Sequence, residues 1–199
     1  HKRYPPAMIS NAISNAKIVL QGPSGIPNRN SFDELVRRCY VEYEALLKRS
    51  GGLDFDDLIV SVVKLLREQE DALKYWQDRF RYVLVDEYQD TNTAQYVLVN
   101  LFAAQHRNLA VVGDDDQSIY RFRGADVRNI LDFQRDFPDA TVIRLEQNYR
   151  SSQAILDAAP AVIRHNEDRA AKKPWTARLG GGKVVAVQTD HAMEEAGVV

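Results

Sequence analysis

Tyr82-Val83-Leu84-Val85-Asp86-Glu87-Tyr88-Gln89-Asp90 is the stretch on which the fold turns. A short apolar run, rich in valine, stops at two adjacent carboxylates. Such a run reads as a strand that carries acids to the edge of a sheet. The pattern recurs downstream. Leu109-Ala110-Val111-Val112 ends in Gly113-Asp114-Asp115-Asp116, and Thr141-Val142-Ile143-Arg144-Leu145 ends in Glu146-Gln147-Asn148-Tyr149-Arg150-Ser151. Residues 92–104 and Val127–Phe137 lie between these runs and have helical spacing. Ser152–His165 is a further helix candidate, and Val184–Gln188 a last strand candidate. Strands alternating with helices predict an α/β fold, a parallel sheet with helices on both faces. In such sheets ligands bind beyond the carboxyl ends of the strands, where the polar clusters of this chain fall.

Upstream of residue 82 the texture is helical. Ile9–Leu20 reads as a short helix, and Gly22–Asn30, with its glycines and prolines, as a loop. Phe32, Leu35, Val36, Cys39, Tyr40, Tyr43, Leu46 and Leu47 recur at helical spacing. Ser31 with Glu34 predicts a capping box at the start of that helix, and Gly51-Gly52 its end. Leu58, Ile59, Val62, Val63, Leu65 and Leu66 mark a second helix; Leu73, Trp76 and Phe80 mark a short third. Cys39 sits on an apolar stripe and reads as a small buried hydrophobe.

Composition bounds the function classes. With 45% hydrophobic and 27% charged residues among 199, the chain can bury a core and is not globally disordered. A net charge of −2 excludes a uniformly basic nucleic-acid coat. No apolar run approaches the roughly 18 residues of a membrane span, and residues 1–6 contain no apolar core of a secretory signal. A single cysteine, Cys39, excludes an internal disulfide framework and predicts a reducing, cytoplasmic setting. His1, His106, His165 and His191 show no metal-ligand spacing. Charge is uneven: residues 1–50 carry 8 basic and 4 acidic side chains, residues 51–100 carry 5 and 10. The basic start is either scatter or a phosphate-facing surface.

Each polar cluster has two readings when taken alone. In Asp86-Glu87, one carboxylate can hold Mg²⁺ through water while its neighbour deprotonates a water that attacks a phosphate. The same pair can be an acidic loop before a helix capped by Asp90 or Thr91. In Asp114–Gly124, Gln117 offers an amide to a phosphate or a water. Tyr120 and Phe122 alternate there with Arg121 and Arg123, which suits stacked bases and neutralised phosphates of single-stranded nucleic acid. The alternative is an edge segment with packed aromatics. In the third cluster Arg150 can present positive charge to a phosphoryl group and Tyr149 can stack on a base, or Ser151 simply caps a helix.

Taken in order, the clusters resemble the motifs of the UvrD/Rep/PcrA-type superfamily I DNA helicases. Val85–Asn92 looks like the family's Walker B motif, Val112–Ala125 like its third motif, and Leu145–Ser151 like its fourth. Leu53-Asp54-Phe55-Asp56-Asp57-Leu58 is similar to a family segment upstream of the Walker B strand. The resemblance covers roughly residues 9–190. It implies a RecA-like P-loop NTPase sheet, ATP and Mg²⁺ as cofactors, and ATP-driven 3′–5′ movement on single-stranded DNA that unwinds duplex. Asp86 would serve Mg²⁺ and Glu87 would be the catalytic base. Gln117 would sense the γ-phosphate, Arg150 would be an arginine finger, and Tyr149 would stack near the adenine. Tyr120 and Phe122, with Arg123 beside them, would meet DNA; Phe122 stands where the family commonly has Trp, offering less stacking area.

The family's phosphate loop, ending Gly-Lys-Ser/Thr, has no match in this chain: Gly180-Gly181-Gly182-Lys183 runs into Val184. The expectation is therefore a partial fold, an internal fragment inactive by itself. Residues 1–50 would end an inserted helical subdomain, 51–145 would be the latter part of a first RecA-like domain, and 146–199 the start of a second. Expected partners are single-stranded DNA, single-strand/duplex junctions, and repair or helicase–nuclease proteins, with no membrane. The alternatives are a non-catalytic single-stranded nucleic-acid-binding or interaction module with ATPase remnants, and a metal-dependent nuclease using Asp86, Glu87 and Asp114–Asp116.

Overall fold

A computed structural model describes residues 4–166, 169, 170, 172–178 and 180–198. His1, counted among the histidines above, lies outside them. The chain divides into two compact units, 1–137 and 138–199.

The first unit opens with helices. α1 (Pro6–Ile18) starts on a proline that needs no amide partner there. α2 (Ser31–Ser50) begins where expected, but its cap is Asn30 and not Ser31: the Asn30 carboxamide oxygen accepts from the amides of Phe32 and Asp33. One oxygen thus satisfies two of the orphan donors of the first turn. Gly51 closes α2 at φ +62°, a left-handed conformation in which a side chain would be strained. Ile13, Ala16, Val36 and Tyr40 form the core between α1 and α2, with Cys39 half-buried against it.

α3 (Asp57–Glu68) and α4 (Glu70–Arg79) follow. Both pack on α5 (Thr93–Ala103), the crossover helix between β1 (Val83–Val85) and β2 (Leu109–Val111). β1 and β2 are parallel, in register Val83↔Leu109, Leu84↔Ala110 and Val85↔Val111. Among the described residues this two-stranded sheet is the whole of the sheet structure. The chain is mixed α/β with a parallel pair of strands, as expected; α5 packs against β1, and Leu84 in the middle of β1 is 72% exposed. Residues 127–137 form two short helices, α6 (Arg128–Leu131) and α7 (Phe133–Asp136), broken at Asp132.

α5 is capped by neither Asp90 nor Thr91. Asn92 accepts from the Gln95 amide at 3.0 Å, and the Gln95 side chain accepts from the Asn92 amide at 2.9 Å. This reciprocal box fixes where α5 begins, immediately after the acidic cluster. Asn92→Ala should lower stability by about 1 kcal/mol, measured by denaturant unfolding, because the Gln95 amide loses its side-chain acceptor.

The second unit contains α8 (Gln153–Ile163) and α9 (Ala192–Val198). The strands expected at 141–145 and 184–188 do not form. Val142, Ile143 and Leu145 are 52%, 78% and 85% exposed, so no neighbour pairs or covers them. A strand is a property of a pair, and an apolar run without a partner stays irregular. Among the described residues, what forms instead is one isolated parallel bridge, Gln147 to Trp175. The cap of α8 sits at Ser152, one residue beyond Ser151.

Candidate functional site

The site of the first unit grows out of the carboxyl ends of β1 and β2. The β1 ladder continues past the strand: the Val112 amide donates to Val85 O at 2.8 Å and the Tyr88 amide to Val112 O at 2.9 Å. This brings the loop after β1 alongside the loop after β2. Asp86 and Glu87 are exposed at that edge. The Glu87 amide donates to Asp86 Oδ1 at 2.9 Å. Glu87 itself has φ +50° and ψ +44°, the left-handed region, which costs a residue with a side chain roughly 1–2 kcal/mol. Tyr88 behind it is fully buried and meets Phe133 edge to face, so the strained turn is held from below.

Gln89 is the residue the sequence reading passed over. It is 1% exposed, and its Nε2 donates to Glu87 Oε2 at 2.8 Å, with Asp90 Oδ2 at 3.4 Å. Its Oε1 accepts from the Asp114 amide at 3.0 Å. Asp114 in turn accepts from Gln117 Nε2 on Oδ2 at 2.7 Å and from the Asp116 amide on Oδ1 at 3.1 Å. Glu87 and Gln117, thirty residues apart, therefore stand at the two ends of one hydrogen-bonded chain. Gly113 makes the approach feasible: a Cβ there would lie 2.5 Å from Gln89 Oε1 and 2.8 Å from Ile130 Cδ1. The loop is tied again at its far end, where the Asp126 amide donates to Thr91 O at 3.0 Å.

Between those ties lie Tyr120, Phe122 and Arg123. The two rings are 5.9 Å apart, and the Arg123 guanidinium lies 5.2 Å from the Tyr120 centroid and 5.5 Å from that of Phe122. Phe122 is 75% exposed, so this is not an edge segment with simply packed aromatics. Two rings and a cation presented together at the surface form a surface on which bases can stack beside phosphates.

In the second unit, Asn148 Oδ1 accepts from the amides of Arg150 and Ser151, and this turn presents Tyr149 and Arg150 to solvent. The Tyr149 hydroxyl donates to Gln147 Oε1 at 2.8 Å. Arg178 Nη1 donates to Arg150 O, which pins the turn.

A second polar centre lies among the helices. Lys17 is 1% exposed and its Nζ is 2.7 Å from Asp57 Oδ1 and 2.8 Å from both Asp54 Oδ2 and Glu44 Oε1. Burial alone would pull the ammonium's pKa down. The bonds to Asp54, Asp57 and Glu44 outweigh that and hold it well above the ordinary lysine range. Burial would likewise push the Asp54 carboxyl up, yet Lys17, the Asp57 amide and Tyr43 hold it below its usual value. One of the basic residues counted toward a phosphate-facing surface is thus spent inside the fold. Asp54 and Asp57 of the Leu53–Leu58 segment serve this centre, while Phe55 between them is 91% exposed.

Among the described residues no group of three or more His, Cys, Asp and Glu side chains is placed to hold a metal ion, and no helix is long and apolar enough to cross a membrane. A multi-carboxylate nuclease cage from Asp86, Glu87 and Asp114–Asp116 is therefore not present among them.

Comparison with known proteins gives the same family throughout. The family model of the UvrD/REP helicase N-terminal domain matches residues 1–138, and that of the UvrD-like helicase C-terminal domain matches residues 143–199. The ATP-dependent DNA helicase PcrA of Leuconostoc citreum is 50% identical over 193 residues, 95% of this chain and 26% of the relative. Those of Staphylococcus epidermidis and Staphylococcus aureus are 48% and 47% identical over 98% and 92% of the chain. The chain spans about a quarter of the length of these curated relatives. With matching models along nearly its whole length, the chain belongs to the UvrD/Rep helicase family.

Proposed function

We propose that this chain is the internal part of an ATP-dependent 3′–5′ DNA helicase that turns over ATP to move along single-stranded DNA and open single-strand/duplex junctions. In this reading residues 1–50 end an inserted helical subdomain, 51–145 are the latter part of a first RecA-like domain, and 146–199 begin a second. The observation that carries it is the linkage of two loops at one sheet edge: Glu87 at one end, Gln117 at the other, and Tyr120, Phe122 and Arg123 directly after.

Each residue then has a task. Glu87 takes the proton of the attacking water. Gln117 contacts the γ-phosphate, and its position reports to the aromatic segment that follows it. Arg150 offers its guanidinium to the same phosphate, and Tyr149 offers a ring to the adenine. Asp86 is a single exposed carboxylate at the end of β1, with Oδ1 turned back onto the Glu87 amide. That donor set fits Mg²⁺, which keeps most of its waters and takes one or two carboxylates beside the nucleotide's own oxygens. When bound, Mg²⁺ supplies charge neutralisation at the transferring phosphoryl group. Repair or helicase–nuclease proteins in the cytoplasm are the partners and setting this activity calls for.

The test is ATP turnover with Mg²⁺, with and without single-stranded DNA. The 199-residue chain alone should be inactive, because base and metal ligand without a phosphate cradle do not position the nucleotide. The complete protein should hydrolyse ATP and be stimulated by DNA. Phe122→Ala should weaken its salt-dependent single-strand affinity roughly 5- to 150-fold, the worth of one stacked base. A complete protein that binds DNA but leaves ATP intact would make the chain a non-catalytic module.

A further inference from the structure

We infer that Gln89 is a positioning residue that aims the Glu87 carboxylate and locks that aim to the loop after β2. This rests on the reading of Glu87 as the catalytic base.

The orientation of the Gln89 amide is decided by chemistry. The Asp114 backbone amide can only donate, so it must face Oε1; the Glu87 carboxylate accepts, so it must face Nε2. Both bonds are short, at 3.0 and 2.8 Å, and both are made by a side chain that is 1% exposed. The third tie is the Gln89 carbonyl, which accepts from the Ser118 hydroxyl at 3.3 Å. Glu87 is itself exposed and mounted on a strained left-handed turn, so its carboxylate has few other restraints. A buried amide that bridges it to Asp114 removes that freedom. Glutamate at this position would keep the acceptor for Asp114 but set a third carboxylate against Glu87 and Asp90. Methionine would keep the volume and lose both bonds. Gly113 leaves no Cβ in the space the bridge occupies.

The experiment is steady-state ATP hydrolysis by the complete protein carrying Gln89→Met or Gln89→Glu, each alone and combined with Glu87→Gln. Both single variants should lower kcat about a hundredfold, the cost of misplacing a catalytic group by about 1 Å. The KM for ATP and the affinity for a labelled oligo-dT should stay within twofold. In the Glu87→Gln background neither change should cost more than a further twofold, since there is no base left to aim. A merely structural role would instead raise KM and act equally in both backgrounds. Single variants within threefold of the parent kcat would overturn the proposal. Should both variants fail to fold, the parent protein still decides: the Asp114 amide must be protected from hydrogen exchange, and rapid exchange there would also overturn it. The two readings fail separately. Normal turnover by Glu87→Gln removes the base assignment, whereas an inert Glu87→Gln with active Gln89 variants removes only this proposal.

Discussion

Glu87→Gln in the complete protein should cut ATP turnover by roughly a hundred- to ten-thousandfold while leaving ATP binding within a few-fold of the parent. The substitution is nearly isosteric. The amide oxygen can still accept from Gln89 Nε2, so the bond that sets the side chain's direction survives. What is lost is the basic oxygen, and a neutral amide does not take a proton from water. In the proposed reading, ground-state binding of the nucleotide rests on a phosphate cradle and Mg²⁺ and not on this carboxylate. The pair of measurements is single-turnover hydrolysis and equilibrium binding of a fluorescent ATP analogue. Turnover at the parent rate would show that another group is the base.

Lys17→Met carries the largest expected loss of stability. The side chain is 1% exposed, and its removal leaves Asp54, Asp57 and Glu44 facing one another around a space a cation had filled. Breaking a buried ion pair by deleting one partner costs about 3–5 kcal/mol. For a chain of this size that is a fall of roughly 10 °C in Tm. The pH dependence has a definite sign. Asp54 is held below its usual pKa, so its contribution is complete above about pH 4 and disappears as the pH falls through the lowered value. The parent should therefore lose stability in acid. In Lys17→Met the carboxylates repel when ionised, and protonating them relieves the repulsion. The gap between the two proteins should be widest near neutrality and narrow below about pH 4, as read by thermal unfolding across that range. A gap that is constant with pH would mean that the loss is one of packing and not of charge.

Much of the architecture is legible in the linear chain because it is local. The ends of α2 follow from Gly51 and the polar residues around position 30, although the cap itself is Asn30, since its short amide reaches two amides at once. The β1 and β2 runs, their acidic ends and the intervening α5 were all readable. So were Tyr120, Phe122 and Arg123 as a unit, because three residues spaced this closely in one turn are bound to be neighbours. The runs at 141–145 and 184–188 have equally good strand composition and form no strand. Pairing needs a second edge, and composition does not report whether one is at hand.

The sequence by itself determined the order of the motifs, the presence of most helices and the candidate chemistry of Asp86, Glu87, Gln117, Tyr149 and Arg150. Only the tertiary structure decided which polar residues work together. Lys17 looked like one of many surface charges and is the buried hub of three carboxylates. Gln89 had no role in the linear reading and bridges two loops, joining Glu87 to the Asp114 amide, 25 residues beyond Gln89 itself. The physical reason is the same for both. A hydrogen bond or ion pair needs atoms within about 3 Å, and that distance between residues far apart in the chain is created by packing and is not encoded in any local pattern.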